Sequence, residues 1–439
     1  DGEEISQKPP AQRDIAFVFQ MFALYPHMNV RRNISYPLVS QGMPRAQVRE
    51  KVQEAARILG IEDILDRRVL TTGGPLVREF ELRVADLLGV GHCVAMSNGT
   101  VALEIVTRAL AMKDEVIAPS MTFVATAHAL QWQQITPVFC DIKPGSHHLD
   151  PACINKLVTP RTSGVLPVNL WGRPCDIDAI LAVSGKHSLP VVFDSAQAFG
   201  CSYKGKMIGG FGNAEVFSFH ATKFMNTFEG GAVVSNDDEL AETIRLMQNF
   251  GFSGRDRVTH VGINGKMTEV EAAMGLTSLE AMDDFIERNR QNYYAYRDGF
   301  QKIPGVELVE YDERDRCNFQ YIVVEIDEHI TGIGRDEILR VLSEENVDAR
   351  RYFYPGCHRM EPYRSYFPNA GIMLNNTEMA LDRVLTLPTG TAVPAEDAEK
   401  IACLISRIVE MSEAVKKQLY PNRSSDVAIA GGELECVHP

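Results

Sequence analysis

Short apolar runs alternate with helical patterns through residues 69–305, and this alternation limits the folds open to the chain. The runs comprise 115–118, 137–140, 164–168, 191–193 and 215–217. Apolar residues at helical spacing separate several of them, as in 100–111, 124–132 and 176–185. Short buried strands that alternate with helices predict an α/β fold, in which a mainly parallel sheet is covered by helices on both faces.

Three further blocks flank this pattern. Residues 306–418 predict a smaller C-terminal α+β domain, with a strand at 321–326 and helices at 335–344 and 394–416. Residues 419–439 are small and polar and are expected to form a disordered tail. Residues 1–68 are polar and charged, with an apolar cluster at 15–22 and a predicted helix at 45–59. The large domain therefore spans 69–305, and the N-terminal 68 residues stand apart from it.

Charge and cysteine usage exclude several classes of function. The 44 basic and 58 acidic side chains give a net charge of −14, which offers no general attraction for nucleic acid or an anionic membrane. No run of 18 apolar residues predicts a membrane span, and the first residues lack the apolar core of a signal peptide. The nine cysteines are odd in number and lack CxxC spacing. We therefore expect reduced thiols, no metal site and a cytoplasmic location.

The segment 215–232, EVFSFHATKFMNTFEGGA, carries the strongest chemical signal. It runs from an apolar strand through Ser218 and His220 to Lys223. A lysine amine in an apolar setting loses its proton more readily and is then free to form a Schiff base. A lone lysine after a strand is more often an ordinary surface residue, so the assignment depends on neighbouring motifs.

Two of those motifs suit an anionic, flat ligand. Asp194 directly follows the strand at 191–193, at the sheet edge where open α/β folds bind ligands, although a helix cap is equally compatible with it. The turn 97–100, Ser-Asn-Gly-Thr, opens a helix whose N–H groups suit a phosphate, or it is a plain capped helix start.

Phe123 supplies a fourth feature, because it follows the strand at 115–118 and could stack on a ring or belong to the core. A phosphate cradle, a stacking ring, a carboxylate and a Schiff-base lysine are together what a pyridoxal 5′-phosphate (PLP) enzyme requires.

Residues 71–412 resemble the DegT/DnrJ/StrS family of nucleotide-sugar aminotransferases, which have the fold-type-I PLP architecture with a seven-stranded, mainly parallel sheet. Nine collinear stretches carry the resemblance: TTGGPLVREFE, SNGTVAL, DEVIAPSMTFVATAHA, PVFCDI, VFDSAQAFG, FSFHATK, EGGAVVS, GINGKMTEVEAAMG and RRYFYPGCH. The resemblance implies PLP as cofactor, a nucleotide-sugar substrate, an amino-acid donor and a homodimer with shared active sites.

The resemblance also assigns roles to individual residues. Lys223 would bind PLP covalently, Asp194 would pair with the pyridine nitrogen, and His220 would lie beside the lysine and face the substrate. Lysine at position 223 favours transamination over the sugar dehydration seen in relatives with histidine there. The remaining cofactor contacts would be Gln197 near the ring hydroxyl, Phe123 on the ring face, Gly99, Thr100 and Ser218 at the phosphate, and Asn264 at the neighbouring subunit's phosphate.

Two positions depart from the family pattern. Lys266 stands where arginine is frequent, and Asn169 stands where histidine is usual. Both departures concern details of substrate contact rather than PLP binding.

Residues 13–34 and 44–68 instead resemble the Q-loop region and helical subdomain of ABC-transporter ATPases, with Gln20 at the Q-loop glutamine. The chain has neither a GxxxxGK[ST] loop nor an LSGGQ-type signature, so nothing would cradle the ATP phosphates. We interpret residues 1–68 as an ABC fragment without ATPase activity, which is either a passenger or a docking module.

The leading hypothesis is a PLP-dependent aminotransferase that moves an amino group from L-glutamate to a keto group of a nucleotide-linked deoxysugar. The alternative is a non-catalytic PLP-fold protein, with a regulatory or docking role, joined to the ABC fragment. The sequence leaves open the sugar, the nucleotide and the carbon that is aminated.

Overall fold

The computed structural model describes residues 30–58 and 73–421. The chain divides into two units, residues 1–70 and residues 71–439. In the first unit, helices α1 (Val30–Ser40) and α2 (Arg45–Ile58) are described, and α2 confirms the helix predicted at 45–59. Its buried side chains, Val48, Val52 and Ala56, recur at four-residue spacing. The apolar cluster at 15–22, Gln20 and nearly all of the predicted tail lie outside the described residues.

The second unit alternates strands and helices as far as residue 300. Its strands in this part are β1 (His92–Met96), β2 (Glu115–Pro119), β3 (Thr136–Cys140), β4 (Thr162–Val165), β5 (Val192–Asp194), β6 (Ser202–Tyr203), β7 (Lys206–Met207), β8 (Ala214–Ser218), β9 (Gly231–Ser235), β10 (Phe252–Gly254) and β11 (Arg257–Val258). Its helices are α3 (Pro75–Leu88), α4 (Gly99–Ala109), α5 (Ala125–Gln131), α6 (Pro151–Leu157), α7 (Ile177–Lys186), α8 (Asp238–Met247), α9 (Glu269–Glu280) and α10 (Met282–Phe300).

Seven of these strands form one sheet in the order β3-β2-β4-β5-β8-β9-β1. The parallel bridges Val165–Val191 and Val168–Asp194 join β4 to β5, and they complete the sheet. Only β9 runs against its neighbours, because it pairs antiparallel with both β8 and β1. The predicted mainly parallel sheet is therefore confirmed, and β1 and β9 are strands that the sequence analysis missed.

Side chains that alternate along each strand fill two separate cores. Ile117, Phe193 and Phe217 point to one face of the sheet, and Val116, Val192 and Val216 point to the other. The first face is covered by α3, α7 and α9, and the second by α4, α5 and α8. Helices on both faces explain why the strands are apolar throughout rather than alternating with polar residues.

A smaller antiparallel sheet follows, in the order β12 (Val306–Leu308), β13 (Ile322–Ile326) and β14 (Val384–Leu387). Its helices are α11 (Glu328–Thr331), α12 (Arg335–Glu344), α13 (Tyr363–Tyr366), α14 (Asn375–Arg383), α15 (Ala395–Glu410) and α16 (Ser412–Leu419). The strand and helix predicted at 321–326 and 335–344 are confirmed. The single helix predicted at 394–416 is wrong, because the structure breaks it between α15 and α16 at Met411. Tyr293, Tyr296 and Phe300 of α10 pack into the core of this part.

His148 lies in the connection between β3 and α6 and is buried against backbone carbonyls. Its Nε2 atom lies 3.0 Å from the carbonyl oxygen of Arg173, and its Nδ1 atom lies 3.1 Å from Ser146 Oγ. Burial lowers the pKa of His148 to about 3. The imidazole is therefore neutral in the folded chain at neutral pH, and Nε2 donates to the carbonyl.

This burial predicts a measurable pH dependence of stability. Between pH 6.5 and 3 the unfolded chain takes up a proton at His148 that the folded chain excludes. The free energy of unfolding of the wild type therefore decreases as the pH is lowered. His148→Gln keeps an N–H donor without a titrating group. We expect it to lose about 2 kcal/mol less stability than wild type between pH 7 and pH 5 in urea unfolding. His187→Gln, at an exposed histidine, is the control, and an equal loss in wild type and His148→Gln would contradict the prediction.

Gly231 makes a second prediction, because β9 passes very close to the turn before α4. A Cβ atom at Gly231 would lie 2.6 Å from the carbonyl carbon of Asn98 and from the backbone nitrogen of Gly99. Neither backbone atom can move without displacing the turn. We expect Gly231→Ala to reduce the free energy of unfolding by about 3 kcal/mol. Gly185→Ala, in α7 with no atom within 4 Å of the added Cβ, should be neutral or slightly stabilising. Equal melting temperatures for the two variants would refute this account.

Candidate active site

A cavity of about 540 Å³ opens at the carboxyl ends of β5 and β8, beside the first turn of α4. Eight of the nine residues that the sequence analysis selected line it. They are Gly99, Thr100, Phe123, Asp194, Gln197, Ser218, His220 and Lys223. The ninth, Asn264, is exposed and does not line the cavity.

The turn before α4 forms one end of the cavity. Asn98 caps the helix, since its Oδ1 atom accepts a hydrogen bond of 2.8 Å from the backbone N–H of Val101. The first N–H groups of a helix have no partner inside the helix, so those of Gly99 and Thr100 are available to a ligand. A side chain at Gly99 would crowd Ser218, whose Cβ would lie 3.1 Å from the added Cβ. The absence of a side chain therefore keeps a small, polar, N–H-rich pocket that fits an anion.

Asp194 ends β5 and is buried. Its Oδ2 atom accepts a hydrogen bond of 2.7 Å from Thr126 Oγ1, and its Oδ1 atom accepts one of 3.2 Å from the backbone N–H of Ala196. Burial raises the pKa of Asp194, while these two donors and the charge of Lys223 oppose the rise. A carboxylate in this position has capacity for one more N–H donor from the cavity.

Gln197 holds the cavity wall rather than pointing freely into it. Its Oε1 atom accepts a hydrogen bond of 2.6 Å from the backbone N–H of Trp171. Its Nε2 group is then the part of the side chain that can donate to an oxygen of a ligand.

Lys223 approaches the cavity from the loop after β8. Its Nζ atom lies 3.2 Å from the hydroxyl oxygen of Tyr321, at the start of the smaller domain's central strand. Tyr321 is fixed in turn, because Tyr311 donates its hydroxyl to the carbonyl of Tyr321 at 2.9 Å. The amine is thus held by a neutral hydroxyl rather than by a carboxylate.

His220 stands at the exposed rim, two residues beyond Ser218. Its Nδ1 atom lies 2.9 Å from Thr222 Oγ1, and its Nε2 atom lies 3.5 Å from Glu229 Oε1. Both His220 and Glu229 line the cavity, so the pair can meet a substrate as it enters.

Aromatic rings form the wall on the smaller domain's side. The rings of Phe123 and Phe353 form an edge contact with their centroids 6.2 Å apart. Phe353 stacks on Trp171 with a centroid separation of 5.1 Å. The Trp171 indole donates to His147 Nδ1, and His147 Nε2 bonds to Glu325 on β13. This chain of contacts fixes the wall to both sheets and makes the middle of the cavity suitable for a flat ring.

The two departures from the family pattern have definite positions. Asn169 is fully buried, with Nδ2 donating to Ser195 Oγ and Oδ1 accepting from the backbone N–H of Cys175. It therefore acts inside the fold and does not line the cavity. Lys266 lies over the ring of Phe250 at 4.8 Å, and burial lowers its pKa.

Several residues of the site escaped the sequence analysis, and Glu229 at the rim is one of them. Thr126 contacts Asp194, Tyr321 contacts Lys223, and Phe353 contacts Phe123. Thr126 and Phe353 lie within two stretches that carry the family resemblance, DEVIAPSMTFVATAHA and RRYFYPGCH. The sequence therefore indicated these regions but not the roles of the two residues. Tyr321 follows no motif, and only the tertiary structure brings it to Lys223.

A larger cavity, of about 790 Å³, lies near the β6–β7 hairpin and contains none of the selected residues. Most of its charged side chains already have partners, such as Arg314 with Asp312 and Asp315 with the backbone N–H of Gly205. The smaller cavity is the candidate active site, because the lysine, the carboxylate and the helix N-terminus converge there.

Comparisons with known proteins agree on one family. The model of the DegT/DnrJ/EryC1/StrS aminotransferase family matches residues 51–406. The chain is 36% identical to the dTDP-4-amino-4,6-dideoxy-D-glucose transaminase of Shigella dysenteriae, over 79% of this chain and 94% of that protein. It is 31% identical to the GDP-perosamine synthase of Caulobacter vibrioides, over 85% of this chain and 99% of that protein. The crystal structure of DesI with its TDP-sugar product superposes with a TM-score of 0.79 at 48% identity, covering 83% of this chain and 93% of DesI.

The match corrects the interpretation of the N-terminal segment. The family likeness starts at residue 51, not near residue 71, and so includes residues 51–68 of the segment attributed to an ABC ATPase. Nothing found among known proteins supports an ABC fragment, and that interpretation of residues 1–68 is not kept.

Among the described residues, no helix is long and apolar enough to cross a membrane.

Family match, sequence identity and superposition agree over most of the chain. The chain therefore belongs to the DegT/DnrJ/EryC1/StrS aminotransferase family and is an aminotransferase with the fold-type-I fold.

Proposed function

We propose that this aminotransferase uses PLP to move an amino group from L-glutamate to a keto group of a nucleotide-linked deoxysugar. The observation that carries the proposal is the convergence of Lys223, Asp194 and the first turn of α4 on one cavity. The named relatives support the substrate class, since two of them are named for amino-sugar products linked to a nucleotide and DesI was solved with a TDP-sugar.

The residues present fit PLP along its length. The N–H-rich turn at Gly99 and Thr100, with Ser218 opposite, suits the phosphate, and a side chain on Gly99 would crowd Ser218 in this cradle. Asp194 has room for one more donor and suits a protonated ring nitrogen. Val168 and Val216 line the cavity between these ends and suit the ring faces.

Bound PLP would supply an electron-accepting ring that stabilises negative charge on the carbon next to the amine. Asp194 would keep the ring nitrogen protonated, because its buried carboxylate gains a hydrogen-bonded partner of opposite charge. Lys223 Nζ would hold the cofactor until the donor amine replaces it. It would then take a proton from the donor's α-carbon and deliver it to the cofactor carbon that carries the amine. Tyr321 would hold that amine in place through its hydroxyl.

The substrate side of the cavity belongs to His220 and Glu229 in this proposal. They are the polar pair at the exposed rim, so a sugar that enters must pass between them and Phe123. A non-catalytic role is disfavoured, since a binding protein would need neither the lysine nor the buried carboxylate at the ring.

Lys223 provides the direct test. Lys223→Ala should abolish turnover and the near-visible absorbance of covalently held PLP, because among the described residues no second amine lines the cavity. Lys400→Ala, at an exposed lysine of α15, should behave as wild type. Absorbance scans with and without L-glutamate, and product formation from a panel of nucleotide ketosugars, measure both effects. Retained transamination in Lys223→Ala would show that another residue carries the chemistry.

The proposal includes a homodimer with shared active sites. Five apolar side chains in and around the β10–β11 hairpin are between 40% and 69% exposed: Phe250, Phe252, Val258, Val261 and Ile263. Such a cluster, next to Asn264, suits contact with a second copy. Asn264 would then reach the partner's phosphate pocket rather than its own, which agrees with its position outside the cavity.

Charge placed in this cluster should separate the subunits. We expect Val261→Asp to shift the protein toward monomer in analytical ultracentrifugation, whereas Met411→Asp, at an exposed residue between α15 and α16, should not. Asn264→Ala should stay dimeric and weaken PLP binding about tenfold, the cost of one hydrogen bond to a charged group. A monomeric wild type with full activity would contradict the shared site.

A further inference from the structure

Glu215 is a fully buried carboxylate in the middle of the sheet, and the proposed chemistry does not use it. It is the second residue of β8 and pairs with Phe193 on β5 and Val234 on β9. Since side chains alternate along a strand, it faces the core layer away from the cavity that Val216 lines. A charge in an apolar layer is costly unless hydrogen bonds compensate for the lost water.

Three donors converge on this carboxylate. Its Oε1 atom accepts from the backbone N–H groups of Gly209 at 2.7 Å and Phe211 at 2.9 Å. Its Oε2 atom accepts from Ser195 Oγ at 2.5 Å. Within residues 30–58 and 73–421 it forms no salt bridge. Three dipolar donors therefore hold Glu215, with the charge of Lys206 acting on it without a salt bridge. One of the three donors belongs to the residue after Asp194.

The hydrogen bonds around Ser195 run in one direction. Asn169 Nδ2 donates to Ser195 Oγ at 2.9 Å, and the Ser195 hydroxyl donates to Glu215 Oε2. The backbone N–H of Asn169 donates to the carbonyl of Asp194 at 3.0 Å, and the N–H of Ser195 donates to the carbonyl of Val216 at 2.8 Å. This direction depends on Glu215. Because Glu215 accepts the Ser195 hydroxyl proton, the lone pairs of Ser195 Oγ can accept from Asn169.

We propose that Glu215 is a positioning residue, which fixes the Asp194–Ser195 turn through Ser195 and so sets where the Asp194 carboxylate stands in the cavity. The inference rests on the role proposed above for Asp194. Thr126 and Ala196 donate to the Asp194 side chain, and Asn169 donates to its backbone carbonyl. Glu215 acts one residue further on, where Ser195 Oγ donates to it and accepts from Asn169.

The ionised form of Glu215 is the one that this network requires. Burial raises the pKa of Glu215 to about 7, although Ser195, Phe211 and Gly209 oppose the rise by donating to the carboxylate. A proton on either oxygen would bring a fourth donor to a place where three already meet. The variants should therefore be compared at about pH 8, where the carboxylate form of Glu215 predominates.

Two substitutions interrupt the network at different points. Ser195→Ala removes the link to the turn but leaves Glu215 with its two backbone donors. Glu215→Gln keeps an acceptor for those backbone donors and presents an amide N–H to Ser195, so that two donors face one hydroxyl. Val234→Ala is the structural control, because Val234 is buried beside Glu215 on the neighbouring strand and has no polar contact with the turn.

The turnover expected of the variants separates positioning from packing. Ser195→Ala and Glu215→Gln should lower kcat of the glutamate half-reaction at least about tenfold with KM changed less than about threefold, since a displaced Asp194 affects charge development more than binding. Val234→Ala should lower the melting temperature by a similar amount and leave kcat unchanged. The double variant Ser195→Ala/Glu215→Gln should be about as slow as the slower single variant, because both remove the same link.

A second readout does not depend on turnover. In the protein without PLP, backbone amides of residues 192–197 should exchange hydrogen for deuterium faster in Ser195→Ala and Glu215→Gln than in Val234→Ala. Asp194→Asn serves as the reference. If it keeps wild-type turnover, the role proposed for Asp194 is wrong. If Asp194→Asn is inactive while Ser195→Ala and Glu215→Gln match Val234→Ala in kcat and exchange, the inference about Glu215 is overturned and the proposed function stands.

Discussion

Parallel pairing of β5 with β8 is the constraint on which the site depends. The register Val192–Ala214, Phe193–Glu215 and Asp194–Val216 makes both strands end at one edge of the sheet. Asp194 ends β5, and Ser218 ends β8 five residues before Lys223. Because carboxyl ends of parallel strands meet at the same edge, a carboxylate and a lysine 29 residues apart along the chain share one cavity. A register shift of one residue would turn Asp194 into the core and leave the lysine without its counterpart.

Two buried carboxylates on these strands face opposite sides of the sheet and show how environment separates their tasks. Glu215 has three donors from the protein, and Asp194 has two. Burial raises the pKa of both, but only Asp194 faces a cavity from which another donor can come. A fully satisfied carboxylate suits a structural anchor, whereas a partly satisfied one suits a ligand contact. The number of protein donors therefore distinguishes the two groups better than their burial does.

The parts of the site that the sequence predicted are those whose motifs are local. The turn at 97–100, the carboxylate after an apolar strand and the lysine after another each lie within a few residues of a recognisable element, and the family resemblance gave their order. Tyr321 and Thr126 depend on tertiary contacts with Lys223 and Asp194, which no spacing reveals. Strands β1 and β9 are as long as β2 and β8, and they were missed because His92–Met96 and Gly231–Ser235 begin at or beside glycines, which disfavour strands. The ABC interpretation of residues 1–68 found no support, and its last part, residues 51–68, falls within the family match.

The cavity wall opposite the sheet explains why the smaller domain is needed at all. Phe353 and Tyr321 come from that domain, and they contact Phe123 and Lys223 of the large one. Their positions are fixed by Trp171, whose indole N–H reaches His147 and, through it, Glu325 on the central strand of the smaller sheet. Phe123 nevertheless stays 56% exposed, although a phenylalanine of this size gains most from burial. A flat cofactor ring on one side and a substrate at the rim would cover Phe123. A phenylalanine that stacks on a ligand at the mouth of a cavity must be exposed before the ligand binds, and Phe123 is.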